Sequence, residues 1–209
     1  MGSFARPSAD VGDVLELYLH GYVSSRIMNT ARSDGQEGLP VCVAASHVDG
    51  LVLALTPNHH SYNYRSAVLF GYATVIEDVD ERLYAMELVT NSVVPDRWRN
   101  SRVPPTNAEM QSTSILKVKI TAGSAKIRTG NASDDAHDKE NPDVVGKVWQ
   151  GVLPFYQSLG EPVPGPDNQV EVPSYINEFI SDFNKDGKEQ ALEAIKPQVH
   201  TKKSREDDD

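Results

Sequence analysis

The feature that constrains this chain most is a densely polar run that leads without a break into an apolar strand. Pro57-Asn58-His59-His60-Ser61-Tyr62-Asn63-Tyr64-Arg65-Ser66 feeds straight into Ala67-Val68-Leu69-Phe70-Gly71-Tyr72-Ala73-Thr74-Val75-Ile76. The polar part supplies imidazoles, hydroxyls, carboxamides, phenols and a guanidinium, more hydrogen-bonding capacity than a solvated loop needs. Such a set suits a ligand that is both aromatic and anionic. Arg65 can fork onto a phosphate, Ser61 and Ser66 can donate to the same oxygens, and Tyr62 or Tyr64 can cover a flat ring. The alternative is a polar loop whose Arg and Asn satisfy backbone carbonyls. Gly71, in mid-strand, implies a bulge or bend of the kind a closing barrel uses.

Two more segments alternate with a strand's two-residue period. Over residues 13–20, Leu15, Leu17 and Leu19 face one way and Glu16, Tyr18 and His20 the other, as in a half-buried strand. Over residues 113–120, Leu116, Val118 and Ile120 face inward and Lys117 and Lys119 outward; Gly123 then leaves either two strands or one long bent strand. After the first of these, Ser24-Ser25-Arg26-Ile27-Met28-Asn29-Thr30-Ala31-Arg32 has serines suited to cap a short helix, with Gly35 beyond its end. A helix that begins just after a strand presents free backbone donors, so Ser24, Ser25 and Arg26 could seat an anion; simple capping with a solvated Arg is the alternative.

Asp-Gly in Ser46-His47-Val48-Asp49-Gly50 predicts a tight hairpin between strands at 41–45 and 51–55. Asp78-Val79-Asp80-Glu81 reads as a capping box opening a helix over 79–94, with Val79, Leu83, Met86, Thr90 and Val93 on its buried stripe. Residues 129–143 form a polar loop in which Asp134, Asp135, His137 and Asp138 match no defined metal spacing, so a solvated acidic loop and no metal are expected. Residues 144–160 are apolar and aromatic, and must be buried or cover a ligand. A stiff Pro162-Val163-Pro164-Gly165-Pro166 connector precedes a helical stripe of Ile176, Phe179, Ile180 and Phe183, which Gly187 breaks or weakens.

A chain of 209 residues has room for one substantial core. Its net charge of −10 opposes binding to a polyphosphate, so nucleic acid is not an expected partner. No apolar run approaches the roughly 18 residues a membrane span requires, and the first residues lack a secretory pattern. The single cysteine, Cys42, excludes an internal disulfide and reads as a small buried hydrophobe; a cytoplasmic location is expected.

Three groups of residues carry a family likeness. Tyr18-Leu19-His20-Gly21 with Ser24-Ser25-Arg26, then His60-Ser61-Tyr62-Asn63-Tyr64-Arg65-Ser66 leading into Phe70-Gly71, then Trp149-Gln150-Gly151-Val152-Leu153-Pro154, together resemble the flavin-nucleotide-binding branch of the pyridoxamine 5'-phosphate oxidase-like split-barrel family. That branch includes proteins labelled as 5-nitroimidazole resistance proteins. The resemblance spans about residues 13–154. It implies an α+β, mainly β fold, an FMN-binding split β-barrel with flanking helices, and a homodimer with FMN at its interface. By the same resemblance Ser24, Ser25, Arg26 and Arg65 grip the phosphate, with Ser61 and Ser66 assisting. His20, Asn63 and Tyr64 line the ring and ribityl region, Trp149 closes the site, and His20 is the candidate proton donor.

The implied organisation is a lead-in over 1–12, a split-barrel domain over 13–160, a helical extension over 161–196 and a disordered tail over 197–209. Relatives carry two further strands before the segment matching residues 13–20, so the barrel is expected to lack them. The implied function is that of an FMN-dependent oxidoreductase acting on a nitro or quinone-like small molecule. The competing expectation is a non-catalytic flavin-binding module, or a cofactor-less dimer working through its surface.

Overall fold

The computed structural model describes residues 2–4, 16–33 and 37–197; residues 5–15, the Gly35 stop and the tail from 198 onward lie outside the described residues. Strands β1 (Gly2–Phe4), β2 (Glu16–Tyr22), β3 (Leu39–Leu53), β4 (Ser61–Val75), β5 (Thr113–Arg128) and β6 (Gly151–Pro154) form one six-stranded sheet in the order β1-β2-β5-β4-β3-β6. The helices are α1 (Arg26–Ser33), α2 (Val79–Asn91), α3 (Asn107–Ser112), two single turns α4 (Ala136–Lys139) and α5 (Pro142–Val145), and α6 (Ser174–Glu193). The architecture is therefore α+β, as expected. Among the described residues, no helix is long and apolar enough to cross a membrane.

The chain divides into two compact units. The first comprises Met1–Ala45, Ala67–Ala125 and Pro162–Ile180; the second comprises Ser46–Ser66, Lys126–Glu161 and Ser181–Asp209. In the first unit β2 pairs antiparallel with β5, Leu17 opposite Val118 and Leu19 opposite Leu116. Of the expected inward set, Leu15 lies outside the described residues; Leu17, Leu116 and Val118 are buried with Met28, Ala31 and Ala73, and Leu19 and Ile120 pack against them. On the other face His20 and Lys119 are exposed as expected, but Tyr18 and Ile115 are buried under Ile76 and Ala85. Buried Tyr18 needs a polar partner, and its hydroxyl donates to Glu81 of α2 at 3.0 Å. Lys117 balances that carboxylate at 2.7 Å and reaches Glu16 at 3.2 Å.

Helix α2 begins as the capping box predicts, with Asp78 accepting from the Glu81 amide, but it ends at Asn91. Its buried positions are Ala85 and Val89, while Val79 and Val93 of the expected stripe are exposed. Among the described glycines the tightest backbone approach falls at Gly71, where an added Cβ would lie 2.3 Å from the Lys119 carbonyl oxygen. The residue therefore serves close strand packing. The expected lead-in is ordered at its start, since Gly2–Phe4 pair antiparallel with β2. β5 is a single long strand through Gly123.

The predicted hairpin at Asp49-Gly50 does not form; β3 runs through it as one strand. In the second unit Gly50 to Leu53 pair with β6, and the Phe155 amide donates to the Asp49 carbonyl, so ladder bonds override the local turn preference. The same alternation turns Cys42 outward between the core-packed Val41 and Val43, so it is exposed, not buried. Helix α6 continues through Gly187, where the absent side chain admits the Gln157 carbonyl to within 3.3 Å of the Cβ position. Beside it the Asn184 carboxamide donates to the Leu159 carbonyl and accepts the Leu159 amide, tethering the preceding extended segment.

Burial first, then the hydrogen bond to Glu81, raises the Tyr18 phenol well above the usual tyrosine range. The unfolded chain releases this proton near the ordinary value of about 10, where the folded state still holds it, so stability falls as pH rises past about 10. Tyr18→Phe should show a shallower alkaline decline in unfolding free energy, measured by urea titration at about pH 9 to 11. Equal slopes in the two proteins would contradict the assignment.

Candidate functional site

The residues expected to form the site divide between the units. His20, Ser24, Ser25 and Arg26 belong to the first; Ser61, Asn63, Tyr64, Arg65, Ser66 and Trp149 belong to the second.

In the first unit, β2 ends at Tyr22 and the chain turns directly into α1. The turn is pinned: the Val23 amide donates to the Ser112 carbonyl, the Ser25 amide to the Tyr22 carbonyl, and Arg32 donates to the Val23 carbonyl, the Asn29 side chain and the Ser114 hydroxyl. Met28 and Ala31 anchor the helix in the core. Its first internal bond runs from the Asn29 amide to the Ser25 carbonyl, leaving Arg26, Ile27 and Met28 as amides without a helical acceptor. There is no acidic residue in the first turn, and Ser24 and Arg26 are exposed. The Ser25 hydroxyl is buried and, among the described residues, has no hydrogen-bond partner. An unpaired hydroxyl beside free helix amides and an exposed guanidinium has the chemistry of an anion seat. His20 is exposed on β2 and lines a cavity with Met86, Trp98 and Ile115.

In the second unit the polar run is largely engaged within the chain. Arg65 forks onto Asp49, Nε to Oδ2 at 2.9 Å and Nη2 to Oδ1 at 2.8 Å. Asn63 is fully buried; its amide donates to the Gly130 and Ala194 carbonyls, both at 3.0 Å, and its oxygen accepts from Arg128. The alternative of Arg and Asn satisfying internal groups therefore describes both residues, with a carboxylate taking the place of a carbonyl at Arg65. Ser66 donates to the Lys126 carbonyl, and the Lys126 ammonium sits 5.9 Å from the centre of the Tyr64 ring. Ser61 and Tyr64 are half-buried. Trp149 is 62% exposed, and its indole overlies Gly151, where a Cβ would lie 2.7 Å from the ring. Leu153, Phe155, Tyr156 and Leu159 are exposed as well, so the apolar stretch is not buried within this chain.

His60 differs from its neighbours. Its Nδ1 lies 2.9 Å from the Thr56 carbonyl, an acceptor only, so Nδ1 is the donor and Nε2 is the ring nitrogen left for another partner. His59 approaches Asp135 at 3.6 Å. Asp135, His137 and Asp138 gather within 4.8 Å of one another. Asp134, expected to be solvated, is instead buried and accepts the Leu55 amide.

Asp49 was concealed by its Asp-Gly context, which reads as a turn. Arg97, Trp98, Arg102 and Glu109, which share the cavity with His20, carried only a helix-ending proline signal.

The family model described as pyridoxamine 5'-phosphate oxidase matches residues 5–127. Among solved structures, the FAD and heme binding protein from Mycobacterium smegmatis is 28% identical with a TM-score of 0.68, covering 85% of this chain and 87% of that one. The flavocytochrome Anf3 from Azotobacter vinelandii is 28% identical with a TM-score of 0.66, covering 78% and 72%. A 5-nitroimidazole antibiotic resistance protein from Bacteroides thetaiotaomicron matches at 17% identity and a TM-score of 0.42, over 60% of this chain and 64% of that one. No curated protein matches the chain.

Removing the Arg65 guanidinium strands a buried carboxylate at Asp49. Arg65→Ala should therefore lower stability by about 1–3 kcal/mol, read from urea unfolding without any ligand. Unchanged stability would show that the fork contributes nothing to the fold.

Proposed function

Because the chain belongs to the pyridoxamine 5'-phosphate oxidase family, we propose that it binds a flavin through its phosphate and acts as a flavin-dependent oxidoreductase. The observation that carries this is the head of α1, where the partnerless Ser25 hydroxyl, the free amides of Arg26, Ile27 and Met28, and the Arg26 side chain fit a phosphate dianion. Two solved structures 28% identical to this chain support the flavin, one a flavocytochrome and the other an FAD and heme binding protein. FMN is the flavin we favour, since its terminal phosphate is the group such a seat takes.

A bound flavin supplies hydride chemistry; this chain supplies position and charge. Ser24, Ser25 and Arg26 would hold the phosphate on the pinned Tyr22 to Arg26 turn. His20, exposed two residues before the end of β2, is available to hold or deliver a proton. Arg65 is already bound by Asp49, so the phosphate interaction rests chiefly on Arg26. We take the substrate to be a small nitro or quinone-like acceptor. We take the protein to be a cytoplasmic homodimer, for which the exposed Trp149, Leu153, Phe155, Tyr156 and Leu159 offer an apolar surface for a second copy.

Purified protein should take up FMN with quenching of flavin fluorescence, and Arg26→Gln should weaken binding by about 1.5–3 kcal/mol, roughly tenfold to a hundredfold. Release by heat and identification of the flavin separates FMN from FAD. A protein that takes up neither overturns the proposal and favours a cofactor-less module.

Haem is a second reading, favoured by His60. A backbone carbonyl fixes its Nδ1 proton and leaves Nε2 as a ready ligand, an arrangement usual for metal-bound histidines. Haemin titration should then give a Soret band that His60→Ala shifts or abolishes. No Soret change on adding haemin would exclude this reading.

A further inference from the structure

We propose that the cavity of the first unit walled by β2, α2 and the segment running into α3 is a binding site for a flat aromatic acid. The inference stands apart from the flavin reading and uses none of its residues except His20. The cavity encloses about 480 Å³, within the range of small-molecule sites. Met86, Val89, Val93 and Ile115 make its lining mostly apolar, so an occupant must be largely hydrocarbon.

The polar groups at its wall are few and unequal. Arg102 is neutralised, its Nη2 lying 2.5 and 2.7 Å from the two oxygens of Glu109. The Arg102 bonds first, then the Thr106 amide, hold the Glu109 carboxyl down at about 2, so this pair stays zwitterionic and adds no net charge. Arg97 is different. It donates to the neutral Tyr175 hydroxyl at 2.8 Å, and among the described residues no carboxylate pairs with it. Tyr175 thus orients the guanidinium without cancelling its charge.

Trp98 follows directly, its backbone held by the Asn91 side chain at 2.8 Å and its side chain lining the same cavity. With the His20 imidazole, it gives flat conjugated surface close to one uncompensated cation. A fused-ring carboxylate or sulfonate satisfies all of these at once: rings against indole, imidazole and aliphatic side chains, and acid against Arg97. A neutral aromatic would leave the exposed Arg97 guanidinium to water and gain nothing from its charge.

The test uses 2-naphthoate and its neutral counterpart 2-naphthylmethanol on the full chain, with affinity from calorimetry and tryptophan quenching as a second signal. The acid should bind at least about tenfold more tightly than the alcohol. Arg97→Gln should bring the two within about twofold, and Trp98→Phe should remove the quenching, leaving Trp149 as the silent tryptophan. Failure of naphthoate to bind, equal affinity for acid and alcohol, or an undiminished preference in Arg97→Gln would each overturn the proposal. Should Arg97→Gln not fold, as judged by circular dichroism, the acid-over-alcohol preference of the unsubstituted chain decides alone.

Discussion

The first unit depends on burying both sides of one strand. Leu17 and Tyr18 are adjacent, point to opposite faces of β2, and are both almost inaccessible. Leu17 needs only apolar neighbours, but Tyr18 brings a hydroxyl into the interior and must be given an acceptor. Glu81 provides it, and Lys117 keeps that carboxylate from standing alone. The triad ties α2 to the sheet at a fixed height. Through α2 it also sets the wall of the His20 cavity, and the nearby C-terminal end of β2 delivers the chain into the head of α1. Packing on one face and hydrogen bonding on the other thus position two chemically distinct surfaces from a single strand.

The second unit uses its polar run differently. A guanidinium, a carboxamide and hydroxyls within a few residues are what a phosphate would require, and also what a buried loop junction requires. Asp49 and the Gly130 and Ala194 carbonyls engage Arg65 and Asn63, so the same composition serves the interior. His60, whose Nδ1 is committed to the Thr56 carbonyl, faces outward, as do Asn58 and Tyr62. Family membership does not fix which residues make contact in this chain. That is decided locally, by which donors remain after the fold has satisfied its own acceptors.

Much of this was legible in the amino-acid order where a period or a local rule acts alone. Leu17, Leu19, Leu116 and Val118 announced their face because a pleated strand allows nothing else, and Asp78 announced the start of α2 through a cap that needs only three residues. Longer-range competition was illegible. Asp49-Gly50 has strong turn preference, yet pairing with β6, a hundred residues later, holds it extended. Cys42 appeared apolar enough to bury, but alternation with Val41 and Val43 decided its side. Gly187 looked like a break because its reason for being small, the approach of Gln157, comes from another segment. The cavity residues from Arg97 to Glu109 share no period and come together only when α2 and α3 are in place.

The Asn63 carboxamide has a consequence for the order of assembly. Its two acceptors lie 67 and 131 residues downstream, so one side chain near the first third of the chain waits for the end of α6. Closing so wide a loop is entropically slow and yields nothing until both ends meet. During synthesis one Asn63 amide hydrogen can meet the Gly130 carbonyl early, while the other lacks its native acceptor until Ala194 has left the ribosome. A nascent chain stalled short of α6 thus carries β4 with the Asn63 carboxamide, near the start of that strand, one native acceptor short.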